Sequence, residues 1–259
     1  MKKLLAILMT LAMLFAFAGC GADKTAKDSE KIIENGKLVV GITDYAPMDY
    51  KEEGSDEWTG FDAEFARLFA KKLGVEIEFI EIDWDNKFLE LKSESIDCIW
   101  NGMTITDEVK LNTNVSKAYV KNAQVLVMAA DKVADYKDIE SIKNLKFAVE
   151  KGSAGEKALT DNKISNFTSV DTQSTALMEV KSGTADACVI DITMANAMTG
   201  EGTSYANLAK GLELTSEEYG VGFRVGSDMT EKFNEFMAEL KADGTLGKLA
   251  EKYKLTIAE

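Results

Sequence analysis

The stretch Glu90-Leu91-Lys92-Ser93-Glu94-Ser95-Ile96-Asp97-Cys98-Ile99-Trp100-Asn101-Gly102-Met103-Thr104-Ile105-Thr106-Asp107-Glu108 holds a helix end, a turn, an apolar strand, a glycine turn and a new helix start. Its first octet is echoed at Glu179-Val180-Lys181-Ser182-Gly183-Thr184-Ala185-Asp186, again a helix end, a turn and the start of a strand. Two related halves are the simplest account of the echo. Working outward, short apolar strands alternate with helical patterns: Leu38 to Thr43, Ala63 to Leu73, Glu76 to Ile82, Asn86 to Ser93 and Ile96 to Asn101. The alternation repeats at Phe147 to Glu150, Ala154 to Leu159, Asn166 to Val170, Ser174 to Lys181 and Ala185 to Asp191. Such alternation predicts an α/β fold with largely parallel sheets.

Helical spacing of Phe61, Phe65, Leu68, Phe69 and Leu73 ends at Gly74, the residue type expected past a helix C-terminus. Phe233, Phe236, Met237 and Leu240 repeat the stripe, and Leu246, Leu249 and Tyr253 predict a final short amphipathic helix. These stripes read as core.

The chain has 259 residues, 46% hydrophobic and 29% charged, which is ordinary globular usage. Its formal charge of −14 argues against a polyanion-binding surface, and no nucleic-acid partner is expected. The absence of any histidine removes His-based catalytic arrangements and the usual zinc sites, and no metal or cofactor is expected.

Residues 1–19 read as a signal peptide: Lys2 and Lys3, an apolar run from Leu4 to Ala18, then small residues. Phe17-Ala18-Gly19-Cys20 resembles the bacterial lipobox, which implies lipidation of Cys20 and a lipid anchor at the extracytoplasmic face of the cell membrane. Residues 20–35 are polar and read as the tether of that anchor. Cys98 and Cys188 sit in apolar runs and read as buried core.

Ligands of open parallel sheets gather at the carboxyl ends of strands. Those ends carry Thr43-Asp44-Tyr45, Asp83-Trp84-Asp85, Trp100 to Thr104, Lys151 to Gly155 and Asp191-Ile192-Thr193. Gly102 lets backbone approach a ligand, while Asp191 reads either as a helix cap or as a ligand contact. Tyr45, Trp84 and Trp100 read either as packing or as stacking surfaces.

Four runs, Gly60-Phe61-Asp62-Ala63-Glu64, Trp84-Asp85, Asn101 to Glu108 and Tyr219-Gly220-Val221-Gly222-Phe223-Arg224, resemble the polar amino-acid-binding proteins of bacterial ABC importers. The resemblance covers about Gly36 to the C-terminus. It implies a two-lobed periplasmic-binding-protein-like fold with two hinge strands, near Lys121 to Val125 and Glu218 to Val221. Residues 36–122 and 221–259 would form lobe 1, and residues 123–220 lobe 2. It further implies that Tyr45 and Trp84 sandwich the ligand side chain. Asn101, Gly102, Met103 and Thr104 would hold its α-carboxylate through backbone and hydroxyl groups, with Ala154 as a backbone donor, and Asp191 would hold its α-ammonium. The expected partners are a small-molecule ligand and an ABC permease, with the chain a monomer and not an enzyme.

One position departs from the pattern. The family's carboxylate-clamping arginine is replaced by Val109, and neither Arg67 nor Arg224 is near in sequence. Lys110, one position along, would not reproduce a bidentate clamp. Two ligand classes therefore stay open, an amino acid held without the clamp, which is the favoured reading, and an amine or other molecule lacking an α-carboxylate. A dehydratase-like enzyme on the same fold and a lipid-anchored sensor or adhesin are the readings from other classes.

Overall fold

The computed structural model describes residues 27–259. The residues read as a signal peptide, the expected lipidation site Cys20 and the first part of the expected tether lie outside the described residues. The end of the assigned tether needs correction, because Asp28–Asn35 is a helix (α1) ending on a left-handed Gly36. It is docked: Ile32 is buried, Asp28 pairs with Arg224 at 3.0 Å, and the Ser29 backbone N–H donates to Asp228 at 3.0 Å.

The first sheet centres on β1 (Lys37–Ile42), flanked in parallel by β4 (Glu76–Glu81) and β5 (Cys98–Ile99). Two short strands, β2 (Tyr50–Lys51) and β3 (Trp58–Thr59), form a hairpin beside it. The chain returns late to pair β14 (Gly222–Phe223) antiparallel with β5 and with β6 (Asn114–Val115). Helix α2 (Phe61–Leu73) covers this sheet and begins at Gly60, whose φ is 118°. A Cβ there would lie 2.2 Å from the Met48 carbonyl oxygen, so only glycine lets the chain enter the helix at this angle. The apolar stripe of α2 meets that of α9 (Met229–Ala242) around Trp100, with Phe65, Phe69 and Phe233 within 6.3 Å of its ring. Trp100 is fully buried, so of its two possible roles it has the packing one and forms no ligand surface.

The second sheet has the order β10-β9-β11-β8-β12. Here β9 (Phe147–Glu150) and β10 (Phe167–Val170) run parallel to β11 (Ala187–Asp191), while β8 (Gln124–Ala129) is antiparallel to β11 and to β12 (Leu208–Glu213). Strand β11 is buried along its whole length, as a central strand with both faces covered must be. The echoed octets occupy equivalent places. One joins α3 (Lys87–Lys92) to β5, and the other joins α7 (Gln173–Ser182) to β11. Cys98 and Cys188 are buried free thiols in different sheets.

Two strands connect the sheets: β7 (Val120–Asn122) and β13 (Glu217–Tyr219) pair antiparallel, Asn122 opposite Glu217 and Val120 opposite Tyr219. A two-stranded crossing offers little resistance to bending, which is the architecture of hinge closure. Helix α4 (Asp107–Asn112), α6 (Ala154–Asp161), α8 (Ile192–Met198) and α10 (Thr245–Tyr253) complete the elements used below.

Candidate functional site

One cavity between the two sheets is bordered by Tyr45, Trp84, Asn101, Gly102, Met103, Thr104, Ala154 and Asp191 together. All come from strand ends or the turns that follow them. Lobe 1 contributes the β5–α4 turn, where Thr106 caps α4 by accepting from the Val109 N–H at 3.1 Å. Lobe 2 contributes the β9–α6 turn, where Ser153 caps α6 by accepting from the Glu156 N–H at 3.1 Å.

Asp191 precedes α8 but makes no capping bond to it. Its oxygens instead accept from Gln124 at 2.9 Å, from the Tyr219 hydroxyl at 2.8 Å, and from Asn122 and Gln173. Asn122 and Tyr219 belong to the hinge strands, so the acid and the hinge form one network. Burial raises the Asp191 carboxyl to about 7, and Glu217 nearby adds to the rise, while the hydrogen bonds from Tyr219, Gln173 and Asn122 oppose it. Glu217 accepts from Thr104 at 2.8 Å and from Asn122 and Gln124 at 2.7 Å each.

Several expected residues are already engaged. The Asn101 amide donates to the Thr43 carbonyl at 3.0 Å and to Asp49 at 2.8 Å, so its side chain braces the turn. The Thr104 hydroxyl is committed to Glu217, and the Tyr45 hydroxyl bonds Thr193 and Tyr219. Gly102 has φ 55°, and a Cβ there would lie 2.5 Å from the Tyr45 ring. Its N–H donates to Asp62 at 2.6 Å, tying the turn to the first turn of α2. Met103 and Val109 lie in an apolar cluster with Trp84.

Among the bordering residues left unassigned in the sequence reading of the binding site are Lys87, Glu150 and Gln173, beside Val109 itself. Glu150 is buried, and burial with the neighbouring Asp191 charge raises its carboxyl to about 8, against the Lys87 charge and the Gln173 side chain. Its place at a strand end was a signal, because Phe147 to Glu150 reads as a strand. Lys87 carried no such signal, since it falls in a helical pattern, and Gln173 stands just before one. Among the described residues, no group of three or more Cys, Asp or Glu side chains is placed to hold a metal ion.

The cavity volume is about 50 Å³, space for a few waters. The lobes touch across it. Lys151 pairs with Asp85 at 2.8 Å, and the Lys87 ammonium donates to the Gly152 carbonyl at 2.9 Å. A solute larger than a few waters therefore enters only when the lobes part.

The family model "Bacterial extracellular solute-binding proteins, family 3" matches residues 38–256. The arginine-binding extracellular protein ArtP of Bacillus subtilis is 32% identical, over 98% of this chain and 98% of its own. The L-cystine-binding protein TcyJ of Escherichia coli K12 is 32% identical, over 86% of this chain and 84% of its own. A crystal structure of an ancestral amino acid-binding protein, described as a precursor of cyclohexadienyl dehydratase, superposes with a TM-score of 0.79 at 31% identity. That match covers 87% of this chain and 98% of the other.

Proposed function

Because this chain belongs to family 3 of the bacterial extracellular solute-binding proteins, we propose that it captures an amino acid between its lobes and hands it to an ABC importer permease. The observation that carries this reading is the single cavity in which all eight expected residues meet, within a chain matched by the family over nearly its whole described length. A zwitterion leaving water needs an anion for its ammonium and donors for its carboxylate. Asp191 is the anion in this reading, and the Met103, Thr104 and Ala154 backbones are the donors, with the Gly102 N–H already given to Asp62. Trp84 and Tyr45 are the apolar walls for the ligand side chain. The relatives that bind arginine and cystine support the amino-acid class.

The proposal extends to the whole chain as a monomeric lipoprotein, anchored through Cys20 outside the cytoplasmic membrane. It is read as a binder rather than an enzyme, which the relatives named as binding proteins support. A second reading, an amine ligand, is favoured by Val109 in place of the clamp and by Glu150 as a second buried acid beside Asp191. A thermal-shift screen of L-amino acids against their decarboxylated amines tests both, since a ligand that binds only the folded state raises the melting temperature by mass action. Stabilisation by one or a few amino acids is the expected result. Stabilisation by amines alone would replace the amino-acid reading with the second one.

A further inference from the structure

We propose that Lys87 supplies the cationic anchor for the ligand's carboxylate that Val109 cannot provide. The inference rests on the amino-acid reading of the cavity and assigns a residue of that site.

The candidates narrow by elimination. Arg224 is held by Asp28, Asp97 and the Ile96 carbonyl, and Arg67 by the Trp58 carbonyl; neither borders the cavity. The Lys110 side chain is 57% exposed and pairs with Asp107, which places it outside the site. Lys157 borders the cavity, but it is 54% exposed and bound to Asp161 at 2.7 Å. Lys87 alone among the cavity's cations is buried, at 5% exposure.

Its ammonium donates to the Trp84 carbonyl at 3.1 Å and to the Gly152 carbonyl at 2.9 Å. It also lies 4.9 Å from the centre of the Trp84 ring and 4.8 Å from that of Phe88. Among the described residues no carboxylate oxygen comes within 4.0 Å of it. An ammonium carries three N–H groups, and the carbonyls engage two of them, while Glu108, Glu150, Asp85 and Asp83 act on the charge only from beyond 4.0 Å. A lysine buried at a cavity wall without a carboxylate partner is therefore suited to an incoming anion. Val109 lies on the same cavity and is packed in the apolar cluster that contains Trp84, so the clamp's position is filled by hydrocarbon while the cation reaches the cavity from α3. Lys87 also touches both lobes, so the residue that holds the carboxylate would also report that the lobes have closed.

The test titrates L-arginine and L-glutamine, each beside its α-carboxamide, into the wild-type chain and into Lys87→Met, Lys87→Gln and Lys87→Arg by calorimetry. The amide keeps the ammonium and the side chain and loses the carboxylate charge. The expected result is a loss of about 30-fold or more for the amino acid in Lys87→Met and Lys87→Gln, the low end for removing one partner of a buried charge pair. The amide should change less than about threefold, and Lys87→Arg, which keeps the charge in a different shape, should lose less amino-acid affinity than Lys87→Met or Lys87→Gln. Equal losses for acid and amide would overturn the proposal by assigning Lys87 to lobe closure alone. Unchanged amino-acid affinity in the folded Lys87→Gln chain would overturn it outright and leave the amino-acid reading standing. A wild-type chain that binds neither these two nor any other L-amino acid would overturn both.

Discussion

The Asp191 carboxyl, raised to about 7 by burial and by Glu217, makes ligand affinity depend on pH in a calculable way. The α-ammonium of a free amino acid, held charged by its own neighbouring carboxylate more firmly than a peptide α-amino group, persists from pH 6 to 8 and pairs only with the ionised acid. With a free-state value of about 7, the ionised fraction is about 0.9 at pH 8 and about 0.1 at pH 6, so affinity should fall about tenfold between them. The sign follows from linkage: the ammonium lowers the carboxyl's value in the complex, binding releases a proton, and falling pH opposes it. Glu150, raised to about 8 in the same cavity, titrates with it, and Lys87 and Glu217 face the pair. Glu150→Gln should therefore flatten the upper part of the profile. Asp191→Asn should remove the lower part and cost about 2–5 kcal/mol of binding, the range for losing one member of a buried charge pair. Calorimetric titration at pH 6, 7 and 8 reads all three. A wild-type affinity flat across this range, or an Asp191→Asn variant with the wild-type slope, would refute the assignment of Asp191 to the ammonium. For the same reason the ligand-free protein should lose stability as pH rises from about 4 toward 7 and 8, because the folded state then holds protons the unfolded chain has released.

Gly102→Ala should weaken both stability and binding, because its φ of 55° is strained for alanine and its Cβ would meet the Tyr45 ring at 2.5 Å; thermal melts and titrations of the variant check this. Phe65 packs its ring against Trp100, Phe233, Phe236 and Tyr119, so Phe65→Ala should cost about 3–5 kcal/mol in urea unfolding. Asp85→Ala removes the exposed bridge to Lys151 across the lobes and should speed ligand release only slightly, with the difference vanishing in high salt. A large, salt-independent effect in stopped-flow release would contradict that estimate.

The two-sheet architecture was legible because strand and helix periods are written in the apolar residues. Phe61 to Leu73 and Ala187 to Asp191 follow their patterns to within two residues. The helix at Asp28–Asn35 was not legible, for it offers little apolar surface and is held by Arg224 and Asp228, partners far along the chain. The cavity's position followed from strand ends, which is why Tyr45, Trp84 and Asp191 could be picked out. Whether Asp191 capped a helix was undecidable from sequence, because a cap and a ligand contact both put an acid after a strand. Trp100 turned out to be core because α9, more than a hundred residues later, covers it. Lys87 was invisible, since a lysine in a helical pattern reads as a solvated face until the second lobe is seen to bury it against Gly152.

Native mass spectrometry of the protein, equilibrated with an equimolar mixture of L-amino acids and their decarboxylated amines, tests amino-acid capture most directly. One bound molecule per chain with the mass of an amino acid is the expected result. An adduct with the mass of an amine, or no adduct at all, would contradict it.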